Sequence, residues 1–321
     1  MGSVKDLTVE KEPRENETGI GIFHFTDDYS VFDYGKMPDE IPGKGEALCR
    51  TAAYNFKELE KLGIKTHFRR LLKGNEMEVN LVRVLYPQKN EISAETANYL
   101  VPLEIIYRNS LPAGSSVFKR LEKGELKFED LGLDHVPEPG EKFAKPIMDV
   151  STKLELGDRY LNWEEAREMA KISGQQLAEL KQTALKINEF LNRRAEEIGL
   201  EHADGKVEFA VTPKKELMLV DVFGTLDEDR MLFHNMHISK QVLRDYYKTL
   251  PWANEMISAK ESGKPKETWP KPPKLPKELI EIVSNMYKSV CEAWINERIW
   301  NAPSIGEVVD SYKNFLDGLN K

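Results

Sequence analysis

A chain of 321 residues with 40% hydrophobic and 31% charged side chains is neither disordered nor membrane-embedded, and its length suits one large domain or two ordinary ones. Its 46 Lys and Arg against 54 Asp and Glu leave a net charge of -8, which excludes a general attraction to nucleic acid or anionic lipid; a phosphate-bearing ligand must meet local positive charge. Cys49 and Cys291 are too few for a disulfide framework or a zinc cluster, and with no apolar run of ~18 residues and a polar start over 1–17 the expectation is a cytoplasmic protein with reduced, buried thiols.

Along the chain, Gly19–Phe25 alternates small or polar with apolar residues and predicts a half-buried strand entering a turn at Thr26-Asp27-Asp28. An irregular Ile41-Pro42-Gly43-Lys44-Gly45 follows, then an amphipathic helix over Glu46–Leu62 carrying Leu48, Ala52, Phe56 and Leu59, stopped by Gly63. Strands are expected over Lys65–Leu72, Glu78–Tyr86 and Leu100–Tyr107, and a long irregular stretch over Ser110–Pro146. Asn162 with Glu165 signals a helix cap, and an apolar stripe carries a long helix to Gly199, broken near Gly174. Lys206–Ala210 and Glu216–Phe223 read as a hairpin. Lys264–Pro276, with five prolines and four lysines, predicts an extended strap before two amphipathic helices around Val283–Ile295 and Ile305–Leu316, expected to pack back on the body or on a second subunit.

The phosphate-loop, dinucleotide-fingerprint and nucleophile-elbow patterns are all absent. His234 and His237, three apart, would share one face of a helix but lack a third ligand at motif spacing. Three clusters are denser in polar groups than a core requires. Asp27 to Asp33 precedes Ile41–Gly45. Pro102–Asn109 delivers Arg108 to the loop Ala113-Gly114-Ser115-Ser116 before Arg120, a way to build an anion pocket from backbone N–H groups and a guanidinium. In the hairpin, Glu208 and Asp221 on adjoining strands would face each other as a magnesium site, with Lys206 on the same face as Glu208. Each cluster taken alone is also what an ordinary solvated strand end or hairpin looks like.

In this order, the clusters resemble the SAICAR synthetases of purine biosynthesis. Thr26-Asp27-Asp28-Tyr29-Ser30-Val31-Phe32-Asp33 with Ile41-Pro42-Gly43-Lys44-Gly45 looks like the family's D-x-x-S-A-[FY]-D…I-P-x-K-G. Pro102-Leu103-Glu104-Ile105-Ile106-Tyr107-Arg108-Asn109 with Ala113-Gly114-Ser115 looks like P-L-E-V-[IV]-x-R-[NG]…G-S. Ser151-Thr152-Lys153-Leu154-Glu155-Leu156-Gly157-Asp158 looks like S-T-K-x-E-x-G-D, and Ala203-Asp204-Gly205-Lys206-Val207-Glu208-Phe209 like x-D-x-K-x-E-F-G.

The resemblance implies a two-lobed α+β fold with antiparallel sheets, related to the nucleotide folds of ATP-grasp enzymes and kinases, and a C-terminal helical extension. On it rest the expected boundaries: a sheet-rich nucleotide-binding lobe over 1–98, a catalytic α/β lobe over 99–250, and the strap and helical tail over 251–321. It implies an ATP- and magnesium-dependent ligase joining carboxyaminoimidazole ribonucleotide to L-aspartate through an acyl phosphate, in a homo-oligomer. By motif position Lys206, Asp204 and Asp33 are the catalytic candidates. Lys11, Lys206, Glu208 and Asp221 would bind ATP, with Glu208 and Asp221 holding magnesium. Ser30, Asp33, Lys44, Arg108, Ser115, Lys153, Asp158 and Arg230 would contact the other substrates.

The chain departs from the family pattern over Val222–Met231, where Asp221 and Arg230 survive but the neighbouring Glu, Pro and Trp do not. Ala210 replaces the family's Gly, and Tyr160 stands near where many members have another acid. These departures keep two alternatives open: a paralogue joining another amine to another carboxylate, or a nucleotide-binding protein without catalysis.

Overall fold

The computed structural model describes residues 4–319 except Asp33, Asn90, Leu156 and Asp158. Two antiparallel sheets organise the chain. The first takes strands β1 (Lys5–Lys11), β2 (Gly19–Phe25), β3 (Phe68–Lys73) and β4 (Glu76–Leu81) in the order β1-β2-β4-β3. Helix α1 (Lys44–Lys61) packs on it, stacking Phe56 against Phe68 at 5.6 Å between ring centres. Its start explains the Ile-Pro-Gly-Lys-Gly spacing: the Asp27 carboxylate accepts the backbone N–H groups of Gly43 and Gly45, satisfying donors that a helix N-terminus leaves open. Gly43 has φ +83°, and a Cβ on Gly45 would fall 2.6 Å from the Phe25 carbonyl oxygen, so neither position admits a side chain.

The second sheet comprises β5 (Tyr99–Ser110), β6 (Lys142–Thr152), β7 (Glu201–Val211), β8 (Leu217–Val220), β9 (Arg230–Phe233) and β10 (Met236–His237), ordered β10-β9-β7-β5-β6 with β8 beside the far end of β7. Alternation gives it two different faces. Leu103, Ile105, Tyr107, Val207 and Phe209 are buried on the face covered by α4 (Gly174–Glu197), whose Leu180, Ala184, Ile187 and Leu191 recur at helical spacing. Glu104, Arg108, Asp204, Lys206 and Glu208 share the opposite face. The predicted cap is present at α3 (Trp163–Ala170): Asn162 Oδ1 accepts from the N–H of Glu165 at 2.9 Å and Glu165 returns the bond. The helix break falls over residues 171–173, where Lys171 has φ +54°, immediately before α4.

Several elements extend or correct the sequence reading. The irregular stretch contains α2 (Ser116–Glu122), and its end is β6, an edge strand where Pro146 is tolerated because one side needs no ladder bonds. His234 and His237 lie on the β9–β10 hairpin, not on a helix, so their three-residue spacing gives no shared face. Helices α5 (Gln241–Lys248) and α6 (Pro251–Glu261) precede the strap, which Trp252 and Tyr247 hold by bonds to the carbonyls of Pro270 and Pro273. Helix α7 (Lys277–Ile295) packs against α1, with α8 (Ile305–Leu319) beyond it. Both cysteines are buried and unpaired, and no helix among the described residues is long and apolar enough to cross a membrane.

Candidate active site

The polar face of the second sheet carries an alternating charge ladder. Register places Glu104 directly opposite Glu208, an arrangement that costs repulsion unless cations intervene. Lys206 Nζ donates to Glu104 at 2.6 Å; Lys153 Nζ bridges both acids, at 2.5 Å to Glu208 and 3.2 Å to Glu104. Burial would lower both lysines, but the surrounding carboxylates outweigh it and hold them well above the ordinary lysine range. Each stays about a third exposed or less, so the ammonium groups are anchored at one side and reachable from the other.

Contrary to the expectation that Glu208 and Asp221 face each other across the hairpin, Glu208 pairs with Val220. Asp221 follows the end of β8 with φ +59°, and that turn brings its carboxylate toward Glu208. Burial and the Asp221 charge push Glu208 up to about 7. Burial would raise Asp221 too, but Lys5 and Lys153 hold it well below the usual carboxylate range. Lys5, on β1 of the first sheet, forms an ion pair with Asp221 and lies over the Phe23 ring at 4.5 Å, so the two sheets meet at this acid. Two mutually repelling carboxylates suit a hard divalent cation that takes its remaining ligands from phosphate oxygens and water. Among the described residues no group of three or more His, Cys, Asp or Glu could hold a metal unaided.

Four residues along the same strands, roughly 13 Å away at strand rise, lies an arginine cluster. Arg230 grips Asp204 with two N–H bonds, one of 2.7 Å. Arg108 contacts Asp204 at 3.5 Å and Asp149 at 3.3 Å, and Arg120 also pairs with Asp149. Three guanidinium groups thus face two carboxylates. The Nε of Arg108, on a side chain 3% exposed, is buried without a hydrogen-bond partner among the described residues. Ser115 caps α2 by accepting from Val117 N–H; Ser116 Oγ lies 2.7 Å from the Tyr160 hydroxyl, and the Arg120 guanidinium stacks on the Tyr160 ring at 3.6 Å. The residue that stands near the family's acid therefore serves as a platform for an arginine.

The structure thus brings Lys153, Lys206, Glu208 and Asp221 into one group and Asp204, Arg108, Ser115 and Arg230 into a second. Lys11 stays apart, on the exposed end of β1 with Glu17, and Lys5 reaches the acids in its place. Lys44 is fully buried and pairs with Asp227 at 2.8 Å, and the next residue, Glu228, lies 3.8 Å from Lys206. Ser30 is half-buried in the loop after β2, and Asp33 and Asp158 lie outside the described residues. Lys5, Glu104, Asp149 and Tyr160 were not singled out from the sequence for these positions; alternation does place Glu104 on the face of Arg108, but only register shows that it meets Glu208.

Comparison with known proteins bears on this arrangement. The SAICAR synthetase family profile matches residues 12–259. An Archaeoglobus fulgidus protein, provisionally named a phosphoribosylaminoimidazole-succinocarboxamide synthase, is 44% identical over 99% of this chain and all of its own length. The Thermoplasma acidophilum phosphoribosylaminoimidazole-succinocarboxamide synthase is 36% identical over 84% of this chain and 91% of its own. In fold, the chain resembles the SAICAR synthase of Saccharomyces cerevisiae complexed with SAICAR, with a TM-score of 0.67 at 22% identity over 94% of this chain and 95% of that one. Sequence and fold agree, and the chain belongs to the SAICAR synthetase family.

Proposed function

We infer that this protein is an ATP-dependent amide-forming ligase of purine biosynthesis, condensing carboxyaminoimidazole ribonucleotide with L-aspartate to give SAICAR, ADP and phosphate. The observation that carries this reading is the sheet face in a SAICAR synthetase family member on which a lysine–carboxylate ladder stands about 13 Å along the strands from an arginine cluster. The chemistry needs such a face. A carboxylate is a poor acyl donor until phosphoryl transfer turns it into an acyl phosphate, which the aspartate amine then attacks; catalysis is largely charge neutralisation and positioning.

In this reading Lys5, Lys153 and Lys206 meet the ATP phosphates, and Glu208 and Asp221 hold magnesium, which when bound neutralises the phosphate charge. Arg108, Arg230 and the Ser115 loop bind the ribonucleotide phosphate, directing the imidazole carboxylate toward the ladder. Asp204 holds Arg230 and Arg108 in place. Ser30, Asp33 and Asp158 would complete the imidazole and amino-acid sites. We also read 1–98 and 99–250 as the two lobes, 251–321 as the appended tail, and the protein as a cytoplasmic homo-oligomer; light scattering tests the last point. Purified protein given ATP, magnesium, aspartate and the ribonucleotide should release phosphate only when all are present, with SAICAR formed in equal amount. Absence of SAICAR would overturn the proposal.

A further inference from the structure

Behind Arg230, on the helix-covered face of the sheet, lies a fully buried polar network that the proposed chemistry does not use. Between His202 and Asp204 the pairing of β7 with β9 slips by one residue, a bulge at Ala203. A bulge re-aims side chains: Asp204 stays on the polar face with Arg230, while His202 turns to the opposite face against Tyr107, ring centres 5.5 Å apart. His202 Nε2 is 2.8 Å from Asp229 Oδ2, and both side chains are 0% exposed. Asp229 Oδ2 also accepts the Tyr107 hydroxyl at 3.1 Å, and its Oδ1 accepts the Gly224 N–H at 2.8 Å.

The imidazole is also held from its other side. Asn109 Nδ2 donates to the His202 carbonyl at 3.1 Å, which fixes the orientation of that amide. Asn109 then pairs reciprocally with Asn188 and Asn192, so Asn192 presents Oδ1 to His202 Nδ1 at 2.7 Å. The 3.4 Å separation between Asn109 Nδ2 and His202 Nδ1 is too long to compete with that bond. His202 is thus held at both ring nitrogens, by Asn192 on one side and Asp229 on the other. Gly205 completes the fit: a Cβ there would sit 1.9 Å from Asp229 Oδ2.

We propose that the His202–Asp229 pair is the positioning element for Arg230, pinning the far end of the 221–230 loop to the sheet so that the guanidinium, held by Asp204 on Nε and Nη2, turns its remaining N–H groups toward the ribonucleotide phosphate. Asp229 is the residue next to Arg230 and also ties the loop at Gly224, so its hold sets where the guanidinium emerges. This rests on Arg230 binding phosphate, as proposed above.

The test is steady-state kinetics on the full chain. Asp229→Asn, which replaces the carboxylate shared by His202, Tyr107 and Gly224 with an amide, should raise KM for the ribonucleotide by about tenfold to about a hundredfold, with KM for ATP changed less than about twofold. Adding His202→Gln, whose amide can pair with that Asn, should recover part of the loss. Tyr107→Phe, which removes a single bond to Asp229 and keeps the ring, should raise the same KM about fivefold, so the test survives if Asp229→Asn fails to fold. An unchanged ribonucleotide KM in both Asp229→Asn and Tyr107→Phe, while Arg230→Ala raises it, overturns the positioning role. If Arg230→Ala itself leaves that KM unchanged, the phosphate assignment fails instead. Equal rises in the KM of ATP and of ribonucleotide would mark a general structural loss and also overturn the proposal.

Discussion

Lys44→Met tests whether the lysine of the Ile-Pro-Gly-Lys-Gly segment is a substrate contact or a structural cation. In the structure its ammonium is 0% exposed, 2.8 Å from an Asp227 carboxylate that is itself 3% exposed and otherwise receives the Tyr287 hydroxyl at 2.5 Å. Met keeps the length of the stem and removes the charge, leaving a carboxylate stranded in the interior. Breaking a buried pair in this way costs about 3–5 kcal/mol, a large part of the roughly 5–15 kcal/mol that holds a domain together. At a urea m-value of about 3 kcal/mol/M the midpoint should fall by about 1–1.7 M. Lys44→Met/Asp227→Asn, which removes both charges and keeps an acceptor for Tyr287, should recover most of the loss.

The pH dependence has a definite sign. Burial would raise Asp227, but Lys44 and Lys240 hold it down to about 2, below its ordinary 3.8. The stabilisation is present above pH 4 and lost as pH falls through 2, and Lys44→Met should lose part of this acid sensitivity while Lys240 keeps the rest. A single variant destabilised by less than about 1 kcal/mol, or one as stable as wild type with a raised substrate KM, would refute this reasoning and return Lys44 to the substrate site.

Other substitutions test the face directly. Glu208→Gln should abolish turnover while leaving the urea midpoint at or above that of wild type at pH 8, since burial and Asp221 already disfavour its charge; near-normal turnover would remove the metal assignment. Arg108→Ala should weaken ribonucleotide binding by about tenfold or more, measured by calorimetry, because a buried charge-assisted bond is worth about 1.5–3 kcal/mol; an unchanged affinity would show the phosphate pocket to be elsewhere. Trp252 is buried, meets Tyr247 at 5.1 Å and Tyr34 at 5.7 Å, and bonds the Pro270 carbonyl. Trp252→Ala should cost about 3–5 kcal/mol and raise the KM of whichever substrate the Ser30 loop contacts; full stability would refute the role of the strap as a brace.

What was legible in the sequence is what local physics decides. The strand over Gly19–Phe25 alternates cleanly, and the Asn162–Glu165 cap is a bond between near neighbours. β6 was not legible because Pro146 and its lysines argue against a strand, and only a place at the sheet edge makes them acceptable. β1 escaped for a similar reason: it is an exposed edge strand of mostly polar residues, so its Lys5 gave no periodic signal. In the site, motif order identified Lys153, Lys206, Glu208 and Arg230. Register and one turn decided the rest, since Asp221 meets Glu208 through a left-handed residue and not across a ladder. Lys44 shows the converse: its motif gives no sign of the buried pair that it forms with Asp227.

The pairing of Lys44 with Asp227 and Tyr287, together with the packing of α1 on α7, bears on how the chain is made as well as how it is held. A segment synthesised early must wait through most of translation for the partners that neutralise and bury it. Contacts of such long sequence separation form late and slow folding. The face of α1 that packs on α7 is therefore left uncovered until the last quarter of the chain has been made. Fragments cut between the two sheets should accordingly behave as complementary halves, insoluble apart and recovering structure when refolded together.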